Sequence, residues 1–255
     1  GGERVRKEYR IEAAAGRLWE HLHQAHKVYW GQRIRQDPHD QAVIEQAYQA
    51  EHRRNWAYSF GPEQWNGPAR FDPTWSRHWR AQVFIEALSG AEELLDIGCS
   101  AVYPTIMARA GFRVTGFDVS QEALDQAMTL AKKWGVDDRV KTQQGLAQHL
   151  PFPDASFPRV LMGEILEHVP DPEKVLAEGY RVLQPGGVLV ASTPFGRNHW
   201  DPMHIHGEDG GWNDADMDNL VAPYRAEVVS LEKIAEDGTE PSCYLLVLHK
   251  RQEQP

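Results

Sequence analysis

The stretch Leu94-Leu95-Asp96-Ile97-Gly98-Cys99-Ser100 reads as an apolar strand that runs into an acidic residue and a tight glycine turn. Glycine at such a turn lets the backbone approach a ligand closely. Pro104 then starts a helix well, because its missing N–H costs nothing in a first turn. The next strand ends in Gly116-Phe117-Asp118, which sets a carboxylate 20 residues after Gly98. An acid there is placed to accept both ribose hydroxyls of an adenosine-type cofactor at the carboxyl edge of a sheet. Strand, turn, helix, strand and acid in this order form a moderately specific signal; a lone glycine turn does not.

Outward from this unit the rhythm continues. Strands are expected at Leu94–Ile97, Arg113–Phe117, Arg139–Thr142, Arg159–Met162, Gly187–Ser192, Glu227–Ile234 and Cys243–His249, with helices at 104–110, 121–134, 172–183 and 214–221. Alternation of strand and helix points to a parallel α/β sheet with crossover helices. Only a turn around Asp237-Gly238 separates the last two strands, so they are expected to pair as an antiparallel hairpin.

The first part of the chain reads differently. Apolar residues recur at helical spacing from Glu3 to Tyr29, a second helix is expected from Asp40 to about Tyr58, and six of the nine tryptophans (Trp19, Trp30, Trp56, Trp65, Trp75, Trp79) lie within residues 1–90. We read residues 1–75 as a helical accessory lobe and 76–255 as the α/β domain. Its aromatic residues are expected either to pack on that domain or, through the Gly/Pro-rich loop from Ser59 to Trp75, to form part of a lid.

Charge narrows the function class. The chain carries 27 Lys and Arg against 37 Asp and Glu, a net −10. Residues 1–90 hold 13 against 11, so residues 91–255 hold 14 against 26, and the negative field belongs to the second part. Such a balance argues against nucleic acid and anionic membranes as partners. No apolar run approaches the roughly 20 residues that span a bilayer. Two cysteines without CxxC or Cys/His spacing suggest a reducing, cytoplasmic compartment. The Gly1-Gly2-Glu3-Arg4 start lacks an apolar signal region and reads as the scar of a cleaved tag.

Five blocks carry a resemblance: Asp96-Ile-Gly-Cys-Ser100, Phe117-Asp118, Leu150-Pro-Phe-Pro-Asp-Ala-Ser-Phe157, Leu166-Glu-His-Val-Pro-Asp-Pro172, and Arg181-Val-Leu-Gln-Pro-Gly-Gly-Val-Leu-Val190 followed by Ser192-Thr-Pro194. In order and spacing they resemble the class I S-adenosylmethionine-dependent methyltransferases, over roughly residues 76–250. The resemblance implies a seven-stranded, doubly wound, Rossmann-like methyltransferase sheet with a C-terminal antiparallel hairpin, preceded here by the N-terminal helical lobe. It implies S-adenosyl-L-methionine as cofactor, bound by Asp96, Gly98, Ser100, Asp118, Val119, Leu146, Ala147 and Gly163. Two departures stand out. The family's turn has three glycines at alternate positions, where this chain has Gly98, Ser100 and Val102; a β-branched residue is not expected at positive φ, so the loop near Val102 must take another shape. Where the family has Gly-Asp-Ala, with the Asp on the adenine amino group, this chain has Gly145-Leu146-Ala147, so apolar and backbone contacts are expected to hold the base.

Glu164-Ile-Leu-Glu167-His168 follows the fourth strand. Were this segment helical, Glu164, Glu167 and His168 would share one face and could hold Mg²⁺, Mn²⁺ or Zn²⁺, the oxygen majority favouring the harder ions. The Glu-x-x-Glu-His pattern is similar to that of the ubiquinone-pathway O-methyltransferases and the small-RNA 3′-terminal 2′-O-methyltransferases, where those side chains bind a divalent metal. The second family adds a downstream histidine, for which this chain offers His199, His204 and His206, with His204 and His206 the expected ligands. Leu-Glu-His-Val-Pro also occurs in metal-free members, where the histidine shapes the site or acts as a base. The run 198–224 has no Lys or Arg but holds Asp201, Glu208, Asp209, Asp214, Asp216 and Asp218, acidity that a nearby cation would relieve or that simply faces solvent. Asn213 or Asp214 is expected to cap the helix that follows.

The leading expectation is methyl transfer to a hydroxyl of a small molecule or glycan, metal-assisted or with His168 as catalytic base. An RNA 3′-terminal 2′-O-methyltransferase is the second reading, and a methyltransferase-like binding protein with an altered cofactor turn the third. The first helix could pair across a homodimer.

Overall fold

The structure, a computed structural model, describes residues 25, 27–36, 40–59, 76–196, 203–206, 212–235 and 240–252. Helix α1 (27–36) and α2 (Gln41–Ser59) precede α3 (Ser76–Ala87). There follow β1 (Glu93–Ile97), α4 (Tyr103–Arg109), β2 (Arg113–Asp118), α5 (Gln121–Lys133), β3 (Val140–Gln144), β4 (Phe157–Gly163), α6 (Pro172–Val182), β5 (Leu183–Pro194), α7 (Asp214–Val221), β6 (Val228–Ile234) and β7 (Cys243–His249). The seven strands form one sheet in the order β3-β2-β1-β4-β5-β7-β6. The first five run parallel; β7 pairs antiparallel with both β5 and β6, as the missing helix between the last two strands requires.

Alternating residues of each strand serve opposite faces, and both faces are covered. Leu95, Ile97, Val160, Met162, Leu189 and Leu246 point to one layer, closed by Val175 and Leu176 of α6 and Met217 and Leu220 of α7. Leu94, Val114, Leu161, Val190 and Leu245 point to the other, closed by Phe84 of α3, Ile106 and Met107 of α4 and Leu130 of α5. Capping follows local chemistry: the Ser120 side chain accepts from Ala123 N–H at the start of α5, and Asn213 forms a capping box with Asp216 at the start of α7. Arg181 ties α6 to the loop before β4, donating to the Leu150 and Phe152 carbonyls and to Glu178 and Asp154. The Pro185-Gly186-Gly187 turn lies inside β5, where register shifts between Phe157 and Arg159.

Helices α1 and α2 form a small core of their own, with Ile34, Val43, Ile44 and Ala47 buried against Met203 and beside Val119 and Ile205. The start of the expected first helix and the proposed lid loop lie outside the described residues, apart from Ser59, the last residue of α2. Among the described residues no helix is long and apolar enough to cross a membrane, and both cysteines are buried free thiols.

Candidate active site

Sheet order locates the crevice. From β1 the chain moves outward to β2 and β3, whereas β4 and β5 lie on the other side, so the sheet switches direction between β1 and β4. In open α/β sheets ligands bind outside the carboxyl ends of the strands at such a point. Here the two tips touch: a Cβ added to Gly98, which sits at φ +69°, would fall 2.5 Å from Ile165 Cδ1. Gly98 N–H donates to the Phe117 carbonyl at 2.8 Å, tying the turn to β2.

Ser100 adopts φ +50°, the conformation a glycine would take without strain. Val102 does not: at φ −103° and ψ −45° it is the N-terminal cap of α4 in ordinary right-handed backbone. The turn therefore departs from the three-glycine form where Val102 requires it, while Ser100 carries the left-handed residue. The Asp118 carboxylate at the tip of β2 receives Ser120 N–H at 2.8 Å and lies 3.4 Å from Ser100 N. Asp96 is almost fully buried, and its Oδ2 has no hydrogen-bond partner among the described residues. Burial, with the nearby Asp118 charge second, pushes its carboxyl well above the usual range.

Beyond Asp118, Val119 packs on the α1–α2 core. Gln144 Nε2 donates to the Val119 carbonyl at 2.9 Å and to Glu45 Oε1 of α2 at 3.1 Å. Gly145 N–H bonds the Asp118 carbonyl, and the following Leu146 and Ala147 are half-buried and buried. Gly163 is buried at the end of β4.

The segment after β4 is not an α-helix. Glu164 stands at φ +57°, and only Leu166–His168 form a 3-10 turn. The expected common face of Glu164, Glu167 and His168 is therefore absent, because a left-handed residue breaks the helical i, i+3 relation. Glu164 turns to β5 instead. Its N–H donates to the Ser192 carbonyl at 3.0 Å, its Oε1 accepts from the Ser192 hydroxyl at 2.7 Å, and its Oε2 lies 3.9 Å from the Arg80 guanidinium. Glu167, His168 and His204 do converge, each offering a ligand atom, and these atoms lie within 4.8 Å of one another. Glu167 is buried, accepts from the Thr193 hydroxyl at 3.1 Å and sits 3.8 Å from His168 Nε2. Burial, then repulsion from Glu164, pushes its carboxyl well above the usual range. His168 Nδ1 lies 3.2 Å from the Met203 carbonyl, which has no proton to give, so Nδ1 is the donor in this contact and in the neutral ring the lone pair falls on Nε2. His206 is turned away, its Nε2 against the Val169 carbonyl.

Residues 95–191 match a family model described as a methyltransferase domain. Over these residues the chain resembles a methyltransferase domain, and its sheet shares the fold of solved S-adenosylmethionine-dependent methyltransferases. It is 37% identical over 160 residues to a 27-O-demethylrifamycin SV methyltransferase of Amycolatopsis mediterranei, a match covering 60% of this chain and 56% of that one. It is 31% identical over 156 residues to a sterol 24-C-methyltransferase of Gibberella zeae, covering 60% and 40%. The chain thus spans about half the length of the curated relatives it matches. Among solved structures, the cyclase SpnF superposes with a TM-score of 0.58 at 21% identity over 69% of this chain and 82% of that one, a likeness of fold alone. Oxygen and carbon acceptors and a cyclisation thus all appear in the names of proteins similar to this one, and fold does not choose between them.

The structure gathers Asp96, Gly98, Ser100 and Asp118 at the β1–β2 tips and Glu167, His168 and His204 beyond β4. It leaves Glu164 and His206 out of the second group; His199 lies outside the described residues. The described acids of the 198–224 run are engaged locally: Asp214 with Lys233 and Tyr244, Asp216 in the capping box, Asp218 with Arg225. The sequence reading missed Glu45, Gln144, Ser192 and Thr193. The last two sit in a quoted block, Ser192-Thr-Pro194, and their place at the β5 tip was the available signal; nothing in the sequence linked Glu45 to Gln144 across 99 positions.

Proposed function

We propose that this protein is an S-adenosylmethionine-dependent methyltransferase acting on a hydroxyl of a small molecule or glycan, with a divalent cation, Mg²⁺ or its substitutes Mn²⁺ and Zn²⁺, at Glu167, His168 and His204. The observation that carries this reading is the convergence of those three side chains at the same sheet edge as the Gly98 turn and Asp118.

The residues present fit the nucleoside. Asp96 Oδ2 is an orphaned buried carboxylate oxygen beside the turn, suited to a ligand that brings positive charge, and Asp118 retains lone pairs for a ribose diol. S-adenosylmethionine, when bound, supplies an electrophilic methyl group on a sulfonium sulfur. The donor set also fits a cation: one carboxylate and two imidazoles, with Thr193 and the Met203 carbonyl orienting Glu167 and His168 from behind. A divalent cation supplies charge that makes a nearby hydroxyl more acidic.

The chain's own work is alignment and proton handling. Asp118 orients the ribose. The Gly98–Ser100 turn brings backbone close to the nucleoside. Glu164 Oε2, which accepts no hydrogen bond from the described residues, is the oxygen left to receive the hydrogen of an acceptor hydroxyl, while Ser192 holds its partner Oε1. The net −10 disfavours an RNA acceptor, since affinity for RNA comes largely from phosphate neutralisation. Calorimetry with S-adenosylhomocysteine tests the cofactor; absence of heat at high micromolar ligand removes the reading. Turnover against a set of phenolic and sugar hydroxyls, with EDTA and after Mg²⁺ addition, tests the rest: loss on chelation and return with Mg²⁺ is the expected result.

A further inference from the structure

His204 reaches Glu167 and His168 on a short irregular segment, 203–206, which belongs to no helix or strand. On the α/β side it is tied by Ile205 N–H to the Glu167 carbonyl at 2.8 Å, by the Met203 carbonyl against His168 Nδ1 and by His206 Nε2 against the Val169 carbonyl. The N-terminal helices hold it from the other side. Met203, 2% exposed, is packed among Ile34 of α1 and Val43, Ile44 and Ala47 of α2, and Ile205 lies against the same cluster. Arg35 Nη2 of α1 donates to the His204 carbonyl itself at 2.6 Å. The same helices reach the other histidine: Tyr48 of α2 donates its hydroxyl to the His168 carbonyl at 2.9 Å, with its ring edge-on to the imidazole at 5.8 Å. Met203 in turn offers its carbonyl to His168 Nδ1, so the residue clamped by the helices also sets which imidazole nitrogen is left for a cation.

We infer that the N-terminal helical pair is a working part of the cation site: α1 and α2 deliver His204 and fix His168, with Arg35 and Tyr48 as positioning residues, so that the site is complete only with the lobe docked. This rests on the cation reading proposed above. A divalent ion then binds to the docked lobe more tightly than to the undocked one, and by linkage the ion favours docking. The lobe becomes a cation-dependent element of the fold as well as a wall of the site.

The test uses the full chain and Mn²⁺ alone, with free Mn²⁺ followed by electron paramagnetic resonance and S-adenosylhomocysteine affinity followed by calorimetry. Arg35→Ala is expected to weaken Mn²⁺ binding by about tenfold or more, the range for partners that orient a metal ligand. Arg35→Lys is expected to recover part of it. Affinity for S-adenosylhomocysteine should stay within about threefold, since Arg35 touches none of the β1–β2 tip residues. Tyr48→Phe, which keeps the ring and loses one donor, is expected to act in the same direction. In a His204→Ala background, Arg35→Ala should have a smaller effect on Mn²⁺, because the part of its action that runs through the His204 imidazole is already lost. Wild-type Mn²⁺ affinity in Arg35→Ala, or effects of Arg35→Ala and His204→Ala that simply multiply, overturns the inference and leaves the cation site standing. A wild-type chain that binds no Mn²⁺ removes the cation site, and the inference with it.

Discussion

The Ser192 hydroxyl donates to Glu164 Oε1 at 2.7 Å while the Ser192 carbonyl accepts Glu164 N–H at 3.0 Å, so one residue of β5 holds both the backbone and the side chain of Glu164. This double tie maintains the left-handed backbone of Glu164 at φ +57°. It also separates two carboxylates that the spacing Glu-x-x-Glu had placed together. Glu164 faces Ser192 and Arg80; Glu167 faces Thr193 and the two histidines.

The separation predicts different outcomes for two similar substitutions. Glu167→Gln should weaken Mn²⁺ binding by more than about tenfold, at least the effect of losing an orienting partner. Glu164→Gln should leave it within about threefold and lower methyl transfer instead. Mn²⁺ titration of the two variants decides this; equal losses in both would restore Glu164 to the cation site.

Asp118 is expected to carry much of the nucleoside affinity. A hydrogen bond to a charged group is worth about 1.5–3 kcal/mol, so Asp118→Ala should raise the Kd for S-adenosylhomocysteine by about 10- to 100-fold. Asp118→Asn keeps one acceptor oxygen and should lose less. An unchanged Kd in both would mean that the ribose is held elsewhere.

Ser100 offers a test of the altered turn. A non-glycine residue at its φ of +50° costs of order 1 kcal/mol, and glycine loses a similar amount through the entropy of the unfolded chain. Ser100→Gly should therefore stay within about 1 kcal/mol of wild type in thermal or denaturant unfolding, whereas Ser100→Val should lose about 1–3 kcal/mol. A tolerated valine would show that the turn is not left-handed there.

Asp96 gives a pH dependence with a definite sign. Its carboxyl is raised in the folded state by burial first and by Asp118 second. A raised group stabilises the fold at pH values below its unfolded value and loses that contribution as pH rises through the folded value. At neutral pH the charged form is thus a cost. Asp96→Asn should melt at a higher Tm than wild type at pH 7, and the difference should shrink as pH falls toward about 4, the ordinary carboxylate value. Melting curves across that window check it, and a difference that grows toward acid would contradict it. The same variant is expected to bind the sulfonium cofactor less well.

The strands and helices were legible because their signals are local. Leu94–Ile97 alternates between two buried faces, Asp118 ends a β-branched and aromatic run, and α7 falls at 214–221 as expected because Asn213 is a cap by its own chemistry. Even the antiparallel hairpin followed from a local absence, since too few residues separate β6 from β7 for a crossover helix. Val102 was readable in the same way: β-branching alone excluded positive φ.

Membership of the site was a different matter. Spacing proposed Glu164, Glu167 and His168 on one helical face, but one left-handed residue, held by a serine 28 positions away, removed Glu164 from the set. His204 and His206 are two residues apart and looked equivalent; contacts with α1 and with the Val169 carbonyl sent them in different directions. By itself the sequence determined the order of the sheet elements, the glycine turn and the acids at the strand tips, because these depend on backbone preference and burial over a few neighbouring residues. Only the tertiary structure decided which side chains converge and that Arg35 of α1 and Tyr48 of α2 reach the carbonyls of two of them, because those choices rest on contacts between segments more than a hundred positions apart, which no local periodicity encodes.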